Sequence, residues 1–267
     1  NDFGVLNYSI AYIAMFMIFS KLGLDQIVVR EIAKDKESID EILGTVFLLK
    51  LFGGIFALCC VFISFFFIDA DFLTRSIIII LSIQFVFQSL DIIDYYYQAQ
   101  VLSKNVVIAR STAFILCSAL KIFLIINNFS VIFFAAIIAF DFLLSAVFLY
   151  IIYKKQNNER LEWSFNKQLA IRLLIDSWPL AISVFLITVY TKIDQIMIGS
   201  LLDKEQVGLY SVAVKLSDAW MFMPIIIINT LMPYFVSLRE IDNKRYYERL
   251  TQLYSLMFWL GLVVGIA

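Results

Sequence analysis

Apolar residues run along this chain in long blocks, and polar residues collect between the blocks or recur inside them at helical spacing. A helix needs about 20 residues to cross ~30 Å of hydrocarbon. Eight blocks have that length and predict helices over roughly 3–29, 41–68, 75–100, 106–126, 130–153, 174–202, 206–237 and 246–267. Runs such as SIIIILSIQFVF do not alternate, as the strands of a membrane barrel must. Isolated strands leave backbone groups unpaired in lipid, so the spans are helices.

Several blocks carry one polar stripe. Gln84, Gln88, Asp91 and Tyr95 follow i, i+4, i+7, i+11, which is one helix face, and Asp94 and Gln98 extend it. Ser211, Lys215 and Asp218 repeat the spacing in the seventh block, and Arg110, Cys117, Ser118 and Lys121 do so loosely in the fourth. In the sixth, YTKIDQIMIG places Lys192 and Asp194 in the middle of an apolar run, two residues apart and therefore facing different neighbours. Six basic residues (Lys21, Lys50, Arg110, Lys121, Lys192, Lys215) and six carboxylates (Asp25, Asp91, Asp94, Asp141, Asp194, Asp218) fall inside the blocks. Facing lipid, each would cost roughly 2.5–3.5 kcal/mol at mid-helix. They must face one another or a water-filled cavity. Ion pairing between helices is the competing structural role for the deepest of them, Lys50, Asp91, Lys192, Asp194, Lys215 and Asp218. Arg110 and Lys121 stand near block ends, where snorkelling accounts for them equally well. Lys21 and Asp25 read as a local i,i+4 pair, and Asp141 as a packing contact. Pro179 is expected to open the sixth span, while Pro224 and Pro233 sit within the seventh; all three are hinge candidates.

Composition narrows the class. Apolar residues make up 62% of 267 and charged residues only 16%, against about a quarter charged in soluble domains, so the expectation is an all-α polytopic membrane protein. The net charge of −1 and the lack of a basic arm leave no case for nucleic acid. There is no histidine, which removes histidine acid–base chemistry and histidine metal sites. Cys59, Cys60 and Cys117 lie in apolar runs and read as reduced filler. No catalytic and no metal residue is expected, and no cofactor; a proton or sodium ion is left open as the coupling ion.

Loop charge sets the orientation. Thirteen lysines and arginines fall in the loops on one side of the predicted spans, against Arg75 and Lys204 on the other. The first side is therefore expected in the cytoplasm, with the tyrosines near it forming an aromatic belt. The chain starts at Asn1 and ends within the apolar FWLGLVVGIA, so it reads as an internal piece that lacks a first helix and the last ones.

There is also an internal likeness. FGVLNYSIAY (3–12) and VGLYSVAV (207–214) are each followed by a long apolar helix and then Arg-Glu-Ile. Spans one and seven run the same way across the bilayer, as in a parallel repeat of six-helix halves. The expected organisation is an N-terminal lobe over 1–155 (helices two to six of the full protein), a cytoplasmic linker over 156–173, and the start of a C-terminal lobe over 174–267 (helices seven to nine). SFNKQLAIRLLIDSW is expected to lie flat on the membrane as an amphipathic helix.

The run SWPLAISVFLITVYTKIDQIMIGSLLDKEQVGLYSVAV, with FMPIIIINTLMPYF after it, resembles the polysaccharide repeat-unit (O-antigen type) flippases of the multidrug, oligosaccharidyl-lipid and polysaccharide exporter superfamily. FGVLNYSIAY with LGLDQIVVREIA, and DYYYQAQVLSK, are similar to them too. The resemblance implies a 12- to 14-helix protein of two lobes in a bacterial inner membrane. By alternating access it would carry undecaprenyl-diphosphate-linked oligosaccharide to the outer leaflet for surface polysaccharide. Lys50, Lys192 and Lys215 would then meet the anionic headgroup. Asp91, Asp94, Asp194 and Asp218 would bond sugar hydroxyls or carry the coupling ion. Implied partners are the lipid-linked oligosaccharide, membrane lipid and polysaccharide polymerase machinery. The alternative is a multidrug/cation antiporter of the same superfamily, which calls for a vestibule dominated by carboxylates. A membrane-embedded glycan ligase or polymerase is a weaker alternative, because the loops IDAD, NNFS and LLDKEQ are short.

Overall fold

The structure is a computed structural model and describes residues 2–35, 37–67, 70–156, 163–241 and 243–266. Among them are helices, turns and no strand. In chain order the helices are α1 (Asp2–Ala14), α2 (Met17–Lys21), α3 (Asp25–Lys34), α4 (Ile39–Ser64), α5 (Phe72–Ser82) and α6 (Gln84–Phe87). After a 3₁₀ turn (Gln88–Asp91) come α7 (Ile92–Ala99), α8 (Ser103–Ile126), α9 (Val131–Gln156), α10 (Lys167–Leu201), α11 (Lys204–Ile241) and α12 (Asn243–Ile266). Five stretches among the described residues are long and apolar enough to cross a membrane: α4, Phe72–Ala99 taken together, α8, α9 and α10. A sixth is the pair Asp2–Ala14 and Met17–Lys34, bent by 49°. The protein is an all-α polytopic membrane protein. Helices α11 and α12 coincide with the last two apolar blocks.

Two expected spans are broken. The first bends between α1 and α2 and turns again at Leu22 and Gly23, whose φ angles are positive. The third passes through a 3₁₀ turn at Gln88–Asp91. Irregular backbone at membrane depth survives where protein groups satisfy it. Here Ser20 of α2 donates to the Phe85 carbonyl (3.2 Å) and to Gln88 Oε1 (2.8 Å), so one break braces the other. Helix α4 makes this close fit possible. Its Lys50, Gly54, Ala57 and Val61 follow helical spacing and are all buried. A Cβ at Gly54 would stand 2.4 Å from the Phe85 carbonyl oxygen, so only glycine lets α4 approach the broken span. Lys50, one turn before Gly54, is thereby carried into the interior.

By chain packing the first compact unit runs as far as Gly208 and takes in the start of α10. The reason lies in α10. Asn166 caps it, accepting from the Gln168 and Leu169 amides, and the helix then runs 35 residues without a stop. The segment SFNKQLAIRLLIDSW is thus the start of α10 and not a separate surface helix. Ser164 donates its amide to the Asp40 carbonyl (3.4 Å), and Asn166 donates to Thr45 Oγ1 (3.0 Å) and Glu41 Oε1 (2.7 Å). These bonds fasten the start of α10 to the first turns of α4. Residues 157–162 of the expected linker lie outside the described ones. Pro179, expected to open this span, lies inside α10.

Candidate functional site: a polar cavity in the first unit

The breaks in spans one and three face a cavity of about 700 Å³. Its wall takes Lys21, Asp25 and Gln26 from α2 and α3, and Gln88, Asp91, Asp94, Tyr95 and Gln98 from the broken third span. Arg110 comes from α8, and Asp141 and Ser145 from α9. Phe87, Phe114 and Phe142 supply aromatic wall.

Two linked clusters organise the polar side. In the first, Lys50 Nζ is fully buried and donates to the Tyr95 hydroxyl (2.7 Å), which donates in turn to Asp25 Oδ1 (2.5 Å). Lys50 Nζ also lies 3.9 Å from Asp25 Oδ1. In the second, Arg110 reaches Asp94 Oδ2 at 2.6 Å and Asp91 Oδ1 at 3.4 Å, while Gln98 Nε2 donates to the other Asp94 oxygen (2.9 Å). The charges satisfy one another and still border open space, so ion pairing and a cavity are not exclusive here.

Of the residues singled out in the sequence, Gln88, Asp91, Asp94, Tyr95 and Arg110 line the cavity, and Lys50 stands behind Tyr95. Gln84 is buried outside the lining, because the 3₁₀ turn shifts the stripe between Gln84 and Tyr95. Lys121 is half-buried on α8, beside Asp141 and Cys117. Lys192 is half-buried and Asp194 exposed on α10, and neither is among the lining residues. Lys215 and Asp218 belong to the second unit, where both are exposed on α11. That helix continues through Pro224 and Pro233.

Asp25 pairs with Lys50 and Tyr95, not with Lys21. The bend between α2 and α3 turns it inward. Asp141 lines the cavity instead of capping a packing contact. Its place on the wall was hidden in the sequence by the apolar run around it, although a charge in mid-span was itself a signal.

Residues 1–239 match the family described as polysaccharide biosynthesis protein. The chain belongs to the polysaccharide biosynthesis protein family. No curated protein and no solved structure matches it. For a member of this family, a polar cavity inside an oily helical unit has direct meaning. Sugars carry many hydroxyls, and each loses its water in hydrocarbon unless a protein group replaces it. The carboxylates accept from hydroxyls, the amides of Gln26, Gln88 and Gln98 donate and accept, and Arg110 offers a planar fork for an anion.

Proposed function

We propose that this protein is a flippase that moves lipid-linked oligosaccharide repeat units across a bacterial inner membrane by alternating access, for surface polysaccharide. It catalyses no reaction. One observation carries the reading: a cavity of about 700 Å³ with paired charges and amides on its wall, inside a unit whose helices are otherwise apolar. Family membership supplies the polysaccharide context. The prenyl tail stays in lipid while the cavity replaces water around the headgroup and sugars. Arg110, half exposed, meets a phosphate by exchanging one carboxylate partner for it. The basic loops face the cytoplasm, where the cargo is loaded. Polymerase machinery is the partner that would receive it.

The test is Arg110→Gln in the full-length protein, with surface glycan and membrane abundance measured together. The expected result is a loss of glycan of roughly tenfold, about 1.4 kcal/mol in binding terms, at unchanged abundance. Equal loss of both would make Arg110 a structural residue and remove the reading's support.

One feature favours the multidrug/cation antiporter instead. The wall holds four carboxylates and two cations, the acidic bias that reading requires. Three of the four carboxylates are held by Arg110, Tyr95 or Lys50, which weakens the preference. A drug-efflux assay beside glycan complementation separates the two.

A further inference from the structure

Helix α10 gives no described residue to the cavity wall, yet one turn of span one touches both. That turn is Leu22–Gly23. Gly23 lies on α10: a Cβ there would stand 2.5 Å from the Ala181 amide nitrogen and 2.8 Å from the Ser177 carbonyl oxygen. With a φ of 65° as well, the position suits only glycine. The contact falls on the stretch of α10 that holds Pro179. Proline has no N–H, so the Ile175 carbonyl, four residues back, lacks its helical donor. Helices bend most readily at such a point.

On its other side the same turn carries Lys21 and Asp25, and both face the cavity. Asp25 accepts from the Tyr95 hydroxyl and lies 3.9 Å from Lys50 Nζ. Ser20, just before the turn, donates to the Phe85 carbonyl and to Gln88, another wall residue. Helix α4 backs this piece. A Cβ at Gly53 would stand 2.2 Å from the Phe19 carbonyl oxygen, so α2 has no room to yield toward α4. A push at Gly23 therefore passes to Lys21, Asp25 and their partners instead of being absorbed.

We infer that the Leu22–Gly23 turn couples the cavity to α10. A cargo group that draws on the Asp25 carboxylate loosens its hold on Tyr95 and Lys50, releases the turn and lets α10 flex at Pro179. Flexing of α10 in turn shifts Lys21 and Asp25 on the wall. Such coupling is reciprocal, and the turn is the element that both sides bias. In the proposed transport cycle it gives cavity occupancy a route to α10, which leads on to α11. The coupling holds whichever cargo the cavity takes, so its failure would leave the flippase reading to its own test.

The experiment is amide hydrogen–deuterium exchange on the full-length protein in lipid nanodiscs. Tyr95→Phe and Asp25→Asn perturb the cavity side, and Pro179→Ala perturbs α10. Tyr95→Phe keeps both charges of the ion pair, so it serves if Asp25→Asn fails to fold. The cavity variants should speed exchange at 180–184 in α10 roughly fivefold, the low end of usual coupling between sites. Pro179→Ala restores the missing donor and should slow exchange at 20–27 by a similar factor. Residues 115–126 of α8, which packs on α7 and α9, should stay unchanged in all three. No change in α10 in the cavity variants, no change at the turn in Pro179→Ala, or an equal change in α8 overturns the coupling.

Discussion

Asp25 and Lys50 form one ion pair, but they are not equally wet. The Lys50 side chain is wholly buried, whereas that of Asp25 is 43% exposed, on the cavity wall. Losing Lys50 leaves a carboxylate that water can reach; losing Asp25 leaves a dry ammonium that keeps Tyr95 and the charge of Asp91 but no ion-pair partner. Breaking a fully buried pair costs about 3–5 kcal/mol, and the exposure of Asp25 with the remaining partners of Lys50 brings the cost here to the low end of that range, about 3 kcal/mol. Asp25→Ala should therefore lower stability in detergent by that amount, and Lys50→Met by clearly less. Thermal unfolding of the two variants measures this, and the reverse order would contradict the assigned burial. The polar stripe through Gln88, Asp91 and Tyr95 was legible in the sequence, because helical spacing alone places residues on a face. The partners were not. Asp25 lies 70 residues from Tyr95 in the chain, and only the bend at α2–α3 brings them together. Lys192 and Asp194 stand out in the sequence by depth alone, and depth does not say which way a side chain points.

At the scale of elements, α1 meets the first turns of α11 through glycine. A Cβ at Gly4 would stand 1.6 Å from the Lys204 carbonyl oxygen, while one at Gly208 would stand 3.4 Å from its nearest neighbour, Gly4. Gly4→Ala must force the helices apart, at about 1–3 kcal/mol, and Gly208→Ala should be close to neutral. Unfolding midpoints of the two variants make the comparison. Lys204 adds a dependence on pH at the same place. Its ammonium donates to the Gly199 carbonyl (3.0 Å) and lies over the Tyr8 ring. Burial pulls its pKa from the usual 10.5 down to about 8, against the opposing pull of Asp71. The folded state thus holds this proton less tightly than the unfolded chain, so stability rises as pH goes from about 8 to 10.5. Subtracting the pH profile of Lys204→Met from that of the wild type should leave a rising difference over this window; a flat difference would contradict the burial. Helix positions were legible because apolar length fixes them. The breaks were not, because they depend on Ser20 and Gly54 meeting a backbone some thirty or more residues away. The start of α10 was not legible for a related reason: the bonds of Asn166 to α4 turn an amphipathic stretch into the first turns of a long helix.

Across the whole molecule, membership of the polysaccharide biosynthesis family and an all-α membrane architecture agree with the proposed transport role, and the polar cavity of the first unit is consistent with it. The proposed transport role requires that the paired charges border water and are not sealed in dry contacts. The most direct measurement replaces Gln84, Asp91 and Ser145 singly with cysteine in a background without native thiols, and then applies a membrane-impermeant thiol reagent from each side. Cysteines at 91 and 145 should label, and the one at 84, buried outside the lining, should not. Labelling at none of the three positions from either side would contradict the account.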